Sequence, residues 1–264
     1  MANAAAALVA TARLLLDGAL DLLYPPRCLV CGDFGPLYLC AACVSEFEAV
    51  QSPICLRCGA EAEPRAGPEE RVARLCPWCL AGRAFAFVAA RGAHAYTGVV
   101  RAAIHRLKYD RRRRLAEPLA LTMLSTLSRV PFAGRDFVLV PVPLHPSKLR
   151  LRGFNQAELL AGTLAEQTGM PLELHAVRRV RATEPQALLK GRHRFANVED
   201  AFEGVPGALA GMDILLIDDV VTTLATANAC SRALLKAGAQ SIHVLALARG
   251  GRGLPGDAAA RPQE

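Results

Sequence analysis

Two carboxylates and three threonines crowd one short stretch of this chain: Asp218, Asp219, Thr222, Thr223 and Thr226. The run before them, Ile214-Leu215-Leu216-Ile217, has no polar break and reads as a buried parallel strand. A helical pattern starts directly after the turn. Strand, acidic pair, hydroxyl-rich turn and helix N-terminus form an order with a chemical consequence. Ligands of open α/β sheets bind beyond the carboxyl ends of strands, and helix N-termini attract phosphate. Hydroxyls and backbone N–H groups hold a phosphate, while carboxylates hold sugar hydroxyls or a hydrated Mg²⁺. A phosphorylated sugar needs both on one loop. An ordinary acidic turn with an N-cap explains one Asp followed by one Thr. It is the lesser explanation for two Asp and three Thr.

The second chemical signal is cysteine. Of nine cysteines, eight form four Cys-x-x-Cys pairs: Cys28/Cys31, Cys40/Cys43, Cys55/Cys58 and Cys76/Cys79. Disulfides are the plain explanation for an even count, but no secretory signal is expected before them. A Cys-x-x-Cys turn aims two thiolates at one metal, and two such turns complete a tetrahedron. Gly32 and Gly59 follow their pairs where such a turn needs a left-handed residue. The spacings therefore point to two structural Zn²⁺ ions. The simplest assignment puts Cys28, Cys31, Cys40 and Cys43 on one and Cys55, Cys58, Cys76 and Cys79 on the other; interleaved pairing also satisfies the count. Four thiolates leave no open position for metal catalysis. Cys230 shares a helical face with Ala227, Ala233 and Leu234, and reads as a core residue.

Three basic stretches complete the inventory. Lys148 and Arg152 flank a turn after Pro141-Val142-Pro143, where Gly153 permits close backbone approach and Asn155 caps the next helix. They suit a pyrophosphate, or equally a solvated loop. Arg178 to Asn197 reads as a mobile basic loop able to close over an anion. Arg101, His105, Arg106, Lys108 and Arg111 to Arg114 form the third, which reads first as a solvated helix end. It also offers a nucleic-acid backbone contact, with Tyr109 able to stack a base.

These groups need a frame. Residues 1–23 read as a short amphipathic helix stopped by Pro25 and Pro26; Arg13, Asp17 and Asp21 break the apolar run, so neither a signal peptide nor membrane insertion is expected. A double zinc ribbon occupies 24–82, with a charged loop from Glu61 to Arg74. A second domain over 83–250 alternates strands and helices. The strands fall at 85–90, 137–140, 172–177, 213–218 and 241–248. The helices fall at 98–107, 116–127, 156–168 and 223–237. That alternation predicts βαβ units and a parallel sheet flanked by helices. Residues 251–264 read as a disordered tail. The chain has 264 residues, 52% hydrophobic, and a formal charge of +7. That excludes a wholly disordered chain and suits, without requiring, a polyanionic partner.

The run from Ile214 to Thr226 resembles the phosphoribosyl-pyrophosphate (PRPP) signature of type I phosphoribosyltransferases. The resemblance implies that Asp218 and Asp219 face the ribose hydroxyls, and that Thr222, Thr223, Leu224, Ala225 and Thr226 wrap the 5′-phosphate. That family usually carries Gly where this chain has Leu224. A branched side chain there is expected to narrow the phosphate cradle or redirect an N–H.

The order of motifs is similar to the ComF family. They are the paired knuckles, Leu107-Lys108-Tyr109-Asp110, Val140-Pro141-Val142-Pro143-Leu144, Arg152-Gly153-Phe154-Asn155-Gln156-Ala157, Thr183 with Gln186, Arg194 with Asn197-Val198, and Asp218-Asp219. The resemblance implies a type I phosphoribosyltransferase-like parallel sheet flanked by helices, joined to an N-terminal zinc-ribbon module with four cysteines per metal. It implies Mg²⁺ with PRPP as ligands, Lys148 and Arg152 on the pyrophosphate, and a cytoplasmic role in DNA uptake or use of external DNA. If the protein is an enzyme, Asp218 and Asp219 belong to the catalytic site, and pyrophosphate is displaced at the anomeric carbon. Thr222 stands where purine-salvage relatives place an acid, so no purine salvage is expected. A different class of reading is a non-catalytic accessory that binds single-stranded DNA, or other DNA-uptake proteins, with a regulatory or vestigial PRPP pocket.

Overall fold

Four parallel strands carry the acidic pair. A computed structural model of the chain describes residues 27–50, 52–62, 75–82, 84–182, 198 and 200–251. Two short helices lie in the cysteine region, α1 (Ala41–Ser45) and α2 (Pro77–Leu80). The sheet is built from β1 (Ala89–Ala95), β2 (Val138–Pro141), β5 (Asp213–Val221) and β6 (Ser241–Arg249), in the spatial order β1-β6-β5-β2. Every pairing in it is parallel. Its helices are α3 (Gly98–Tyr109), α4 (Ala116–Leu127), α5 (Pro146–Arg152), α6 (Gln156–Thr168) and α7 (Ala225–Lys236). A small antiparallel pair, β3 (Val177–Arg179) and β4 (Phe202–Gly204), stands apart from the sheet.

The central strands show why the sequence has unbroken apolar runs. Both faces of the sheet are covered, so neither face can be polar. Alternation sends Ile214 and Leu216 into one cluster, with Ile242, Val244 and Leu234 of α7. Leu215 and Ile217 go to the other, with Leu245, Leu247 and residues of α3, α4 and α6. The cysteine region divides between them: Cys28 and Cys43 join the second cluster, and Cys55, Cys58, Cys76 and Cys79 the first. The parallel sheet, its flanking helices and the two four-cysteine clusters are those expected. Among the described residues, no helix is long and apolar enough to cross a membrane.

Several boundaries differ from expectation, each for a local reason. The first strand starts at Ala89, not Phe85. Pairing with β6 begins only where Val88 N–H donates to Ile242, so Phe85 and Phe87 stack as core plugs at 4.7 Å. The expected strand over 172–177 reduces to one bridge between Leu172 and Leu139. Arg178 and Arg179, expected in a loop, instead lie in β3 against β4. Finally, β5 continues past residue 218 to Val221, because β6 goes on pairing with it as far as Arg249. The acids therefore sit within a strand and not in the turn after it. The readings for 1–23, 63–74, 183–197 and 252–264 fall outside the described residues.

Candidate functional site

The thiols group in chain order. Cys28, Cys31, Cys40 and Cys43 bring their sulfurs within 4.8 Å of one another, and so do Cys55, Cys58, Cys76 and Cys79. Sulfur separations of 3.7 Å (Cys28–Cys43, Cys31–Cys40) and 3.6 Å (Cys58–Cys76) match a tetrahedron with metal–sulfur bonds of about 2.3 Å. Thiols this close cannot ionise independently. The hydrogen bond with Cys58 pulls Cys55 down to about 4, while the same contact and burial push Cys58 up. A divalent cation removes that conflict by taking all four as thiolates. Both clusters fit structural Zn²⁺.

On β5, Asp218 and Asp219 are 8% and 3% exposed. Each folds back on the chain: Asp219 N–H donates to Asp218 Oδ1 at 2.8 Å, and Val220 N–H to Asp219 Oδ1 at 2.9 Å. Strand alternation separates their surroundings. Asp219 forms a salt bridge with Lys108 near the end of α3. Asp218 feels Arg179 of β3, and the Lys108 ammonium through space. Burial pushes Asp218 up to about 6, against the pull of both cations. Burial also pulls Lys108 down to about 8; Asp218 opposes this, and Arg152 and Lys148 add to it.

Those last causes locate the basic groups. Lys148 is lowered by burial and by Arg179 and Arg152, so Lys108, Lys148, Arg152 and Arg179 crowd one another. Four cations against two carboxylates leave an excess of two positive charges. The Arg-Gly-Phe-Asn-Gln run is the joint that holds two of them there. Gly153 ends α5 in the left-handed region at φ 81°. Phe154 is buried, and Arg113 lies over its ring at 4.9 Å. Asn155 caps α6 by accepting from Ala157 N–H at 3.1 Å and donates to the Val142 carbonyl at 3.0 Å. Arg152 donates to Gln156. The capping role expected of Asn155 thus also clamps the start of α6 onto the end of β2.

The turn after β5 offers an anion seat. Thr223 Oγ1 is buried with no hydrogen-bond partner, which in a native fold calls for a ligand or water. Thr222 and Thr226 are half-buried. Ala225 opens α7, whose first N–H groups have no partner inside the helix. Leu224 turns its side chain into the core. It takes the left-handed conformation a glycine would take, φ 64° and ψ 12°, and its side chain is 3% exposed within the apolar cluster on the α7 face. The leucine offsets its backbone strain by burial. Leu224→Gly should forfeit roughly 2–5 kcal/mol of buried side chain and relieve about 1–2 kcal/mol of left-handed strain. A net loss of roughly 0–4 kcal/mol is expected in chemical denaturation. A more stable variant would contradict this account of the turn.

Acids, threonines, Lys148 and Arg152 therefore come to one end of the sheet, as do two residues that sequence reasoning missed. Lys108 was assigned to a solvated helix end. Its signal was its place beside Leu107 on the inward face of α3. Arg179 was assigned to a mobile loop, and no local pattern marked its strand. The donor set fits a magnesium-bound phosphosugar: carboxylates, an unpartnered hydroxyl, a helix N-terminus and excess positive charge. Tyr109, 64% exposed, stands at the edge with Arg152 at 5.6 Å from its ring centre.

Comparison with known proteins gives the following likenesses. Residues 19–81 match the double zinc ribbon domain. The chain is 34% identical over 160 residues to the DNA utilization protein YhgH of Salmonella typhi, covering 58% of this chain and 69% of that protein. It is 30% identical over 218 residues to the competence protein ComFC of Bacillus subtilis, covering 80% and 84%. Among solved structures, glutamine PRPP amidotransferase from B. subtilis aligns with a TM-score of 0.34 at 22% identity, over 50% of this chain and 26% of that one.

Proposed function

Because this chain belongs to the ComF family of competence and DNA-utilization proteins, we propose that it binds PRPP with Mg²⁺ at the carboxyl end of β5. One observation carries this reading: Lys108 pairs with buried Asp219 and, with Arg179, acts on buried Asp218, with Lys148 and Arg152 beside them and a helix N-terminus after the strand. Asp218 and Asp219 hold the ribose hydroxyls. The N–H groups at the start of α7, with Thr222, Thr223 and Thr226, hold the 5′-phosphate. Lys148 and Arg152 hold the pyrophosphate. Mg²⁺, when bound beside Asp218 and Asp219, would supply positive charge to the pyrophosphate. Lys108 occupies Asp219 until the ligand arrives and then turns to the pyrophosphate, so the carboxylates are never left without a cation. The domain order is the double ribbon at 24–82 and the PRPP-binding domain at 83–250, and the protein works in the cytoplasm on incoming DNA.

Binding depends on pH with a definite sign. Asp218 must be ionised to serve, and its ionisation lies at about 6. Affinity for Mg-PRPP should be level above pH 7 and fall about tenfold per pH unit below 6. Equilibrium dialysis between pH 5 and 8 reads this directly. Affinity that is flat over the range contradicts the assignment of Asp218.

A second reading rests on a different observation. Arginines alternate with aromatic rings from the first ribbon to the site edge: Arg27 over Phe34, Arg114 over Tyr38 and Arg152 over Tyr109, at 4.0 to 5.6 Å. Stacking rings interleaved with cations suit single-stranded DNA. Steeply salt-dependent DNA binding without pyrophosphate release across a panel of bases would favour an accessory role over catalysis.

A further inference from the structure

The two four-cysteine clusters differ in their surroundings. In the first, Cys31 is exposed and Cys40 half-buried; in the second all four thiols are buried. The second cluster is also pressed against the sheet. Ala90 N–H donates to the Arg57 carbonyl at 2.8 Å. Gly59 comes so close to β1 that a Cβ on it would lie 2.3 Å from the Ala90 carbonyl oxygen. No side chain but hydrogen fits there.

Two arginines bear on this contact, Arg91 buried and Arg249 half-buried. Arg91, on β1, is 5% exposed and donates through Nη1 to the carbonyls of Leu56 and Ala90, both at 2.8 Å, and of Cys55 at 3.4 Å. It therefore grips the knuckle backbone beside the first thiol. Arg249 ends β6, close enough to β1 that a Cβ on Gly92 would lie 2.6 Å from its own Cβ. Its Nε and Nη1 are buried without a hydrogen-bond partner. Buried guanidinium groups require counter-charge. The groups of opposite sign acting on Arg249 most strongly are Cys58, Cys55, Cys76 and Cys79. A zinc tetrathiolate carries two net negative charges, four thiolates against one divalent ion. Two guanidinium ions balance it.

We propose that Arg91 and Arg249 are the counter-ions of zinc at the second cluster, which makes that metal a fixed part of the sheet's edge and leaves the first zinc as the exchangeable one. Their positive charge beside the cluster, carried by Arg91 to the Cys55 and Leu56 carbonyls, lowers the sulfurs' reactivity toward competing acids and chelators. The end of the same strand, β6, reaches the anion seat. Arg249 pairs with Val221 across the sheet, and the next residue, Gly250, donates its N–H to the Val221 carbonyl at 2.8 Å. A Cβ on Gly250 would lie 2.9 Å from Thr222 Cγ2. Loss of the second zinc would leave Arg249 uncompensated at the base of that turn. This holds whether or not the protein transfers a phosphoribosyl group.

The test is zinc release from the full zinc-loaded chain, challenged with EDTA and followed by a metallochromic dye alongside circular dichroism. Two phases are expected. One equivalent leaves early with the spectrum unchanged, and the second leaves late together with the helical signal. Arg249→Met should weaken retention of the second zinc about 10–100-fold and leave the first alone. Arg249→Lys, which keeps the charge, should fall between. In the cobalt-substituted protein, Arg249→Met should shift the sulfur-to-metal charge-transfer band of one site only. Release of both equivalents in one phase, or Arg249→Met and Arg249→Lys both behaving as the parent, would overturn the proposal.

Discussion

Lys108→Met should destabilise the α/β domain by roughly 3–5 kcal/mol, the usual cost of stripping one partner from a buried ion pair. The side chains of Lys108 and Asp219 are 17% and 4% exposed, so water cannot take over the missing charge. Methionine keeps the apolar stem that packs beside Leu107, which confines the loss to the ammonium. For a domain of this size the midpoint of thermal unfolding should fall by roughly 6–20 °C. The second half of the expectation separates this from a packing defect. Millimolar Mg²⁺ should restore a large part of the loss in Lys108→Met, because the ion takes the place of the ammonium between the carboxylates. Melts with and without Mg²⁺ give the comparison. A shift below about 1 kcal/mol would mean that the pair is solvated and behaves as a surface bridge.

The second large effect concerns the knuckles. Cys58→Ser should abolish the cooperative fold, whereas Cys31→Ser should keep it and lose one zinc. Structural zinc contributes about 10–16 kcal/mol in small ribbon peptides. That rivals the whole stability of a domain, about 5–15 kcal/mol. Cys58 lies in the same apolar cluster as Ile214, Ile242 and Leu234, so losing its metal opens the core of the sheet. Cys31 is exposed and at the rim of its own cluster. Zinc content by atomic absorption, with thermal melts, distinguishes them. Equal losses in the two variants would contradict the difference in their surroundings.

Much of this architecture was legible because it depends on local pattern. The unbroken run Ile214 to Ile217 could only be a strand covered on both faces, and it is. The helix over 156–168 was read to the residue, since Asn155 caps it and Gly169 ends it at φ 72°. The thiol grouping followed from spacing, although spacing alone left the interleaved alternative open. What was not legible depends on partners distant in sequence. The end of β5 is set by how far β6 continues beside it. The placement of Arg179 depends on β4, more than twenty positions further on. The side-chain placement of Leu224 was not legible, because residue type at a left-handed position reports strain but not its compensation. The burial that holds it there is a property of the folded sheet. Lys108 looked like one charge in a basic run. Only the crossing of α3 over the end of β5 gives it a carboxylate partner.

The central claim is that the acidic strand end and the turn after it form a seat for a magnesium-bound phosphosugar. Isothermal calorimetry of Mg-PRPP against the parent, Asp218→Asn and Asp219→Asn tests it most directly. Saturable one-to-one binding to the parent is expected, weakened at least about tenfold in each variant, the worth of a charge-assisted contact. No heat of binding to the parent, or equal affinity in all three proteins, would contradict it.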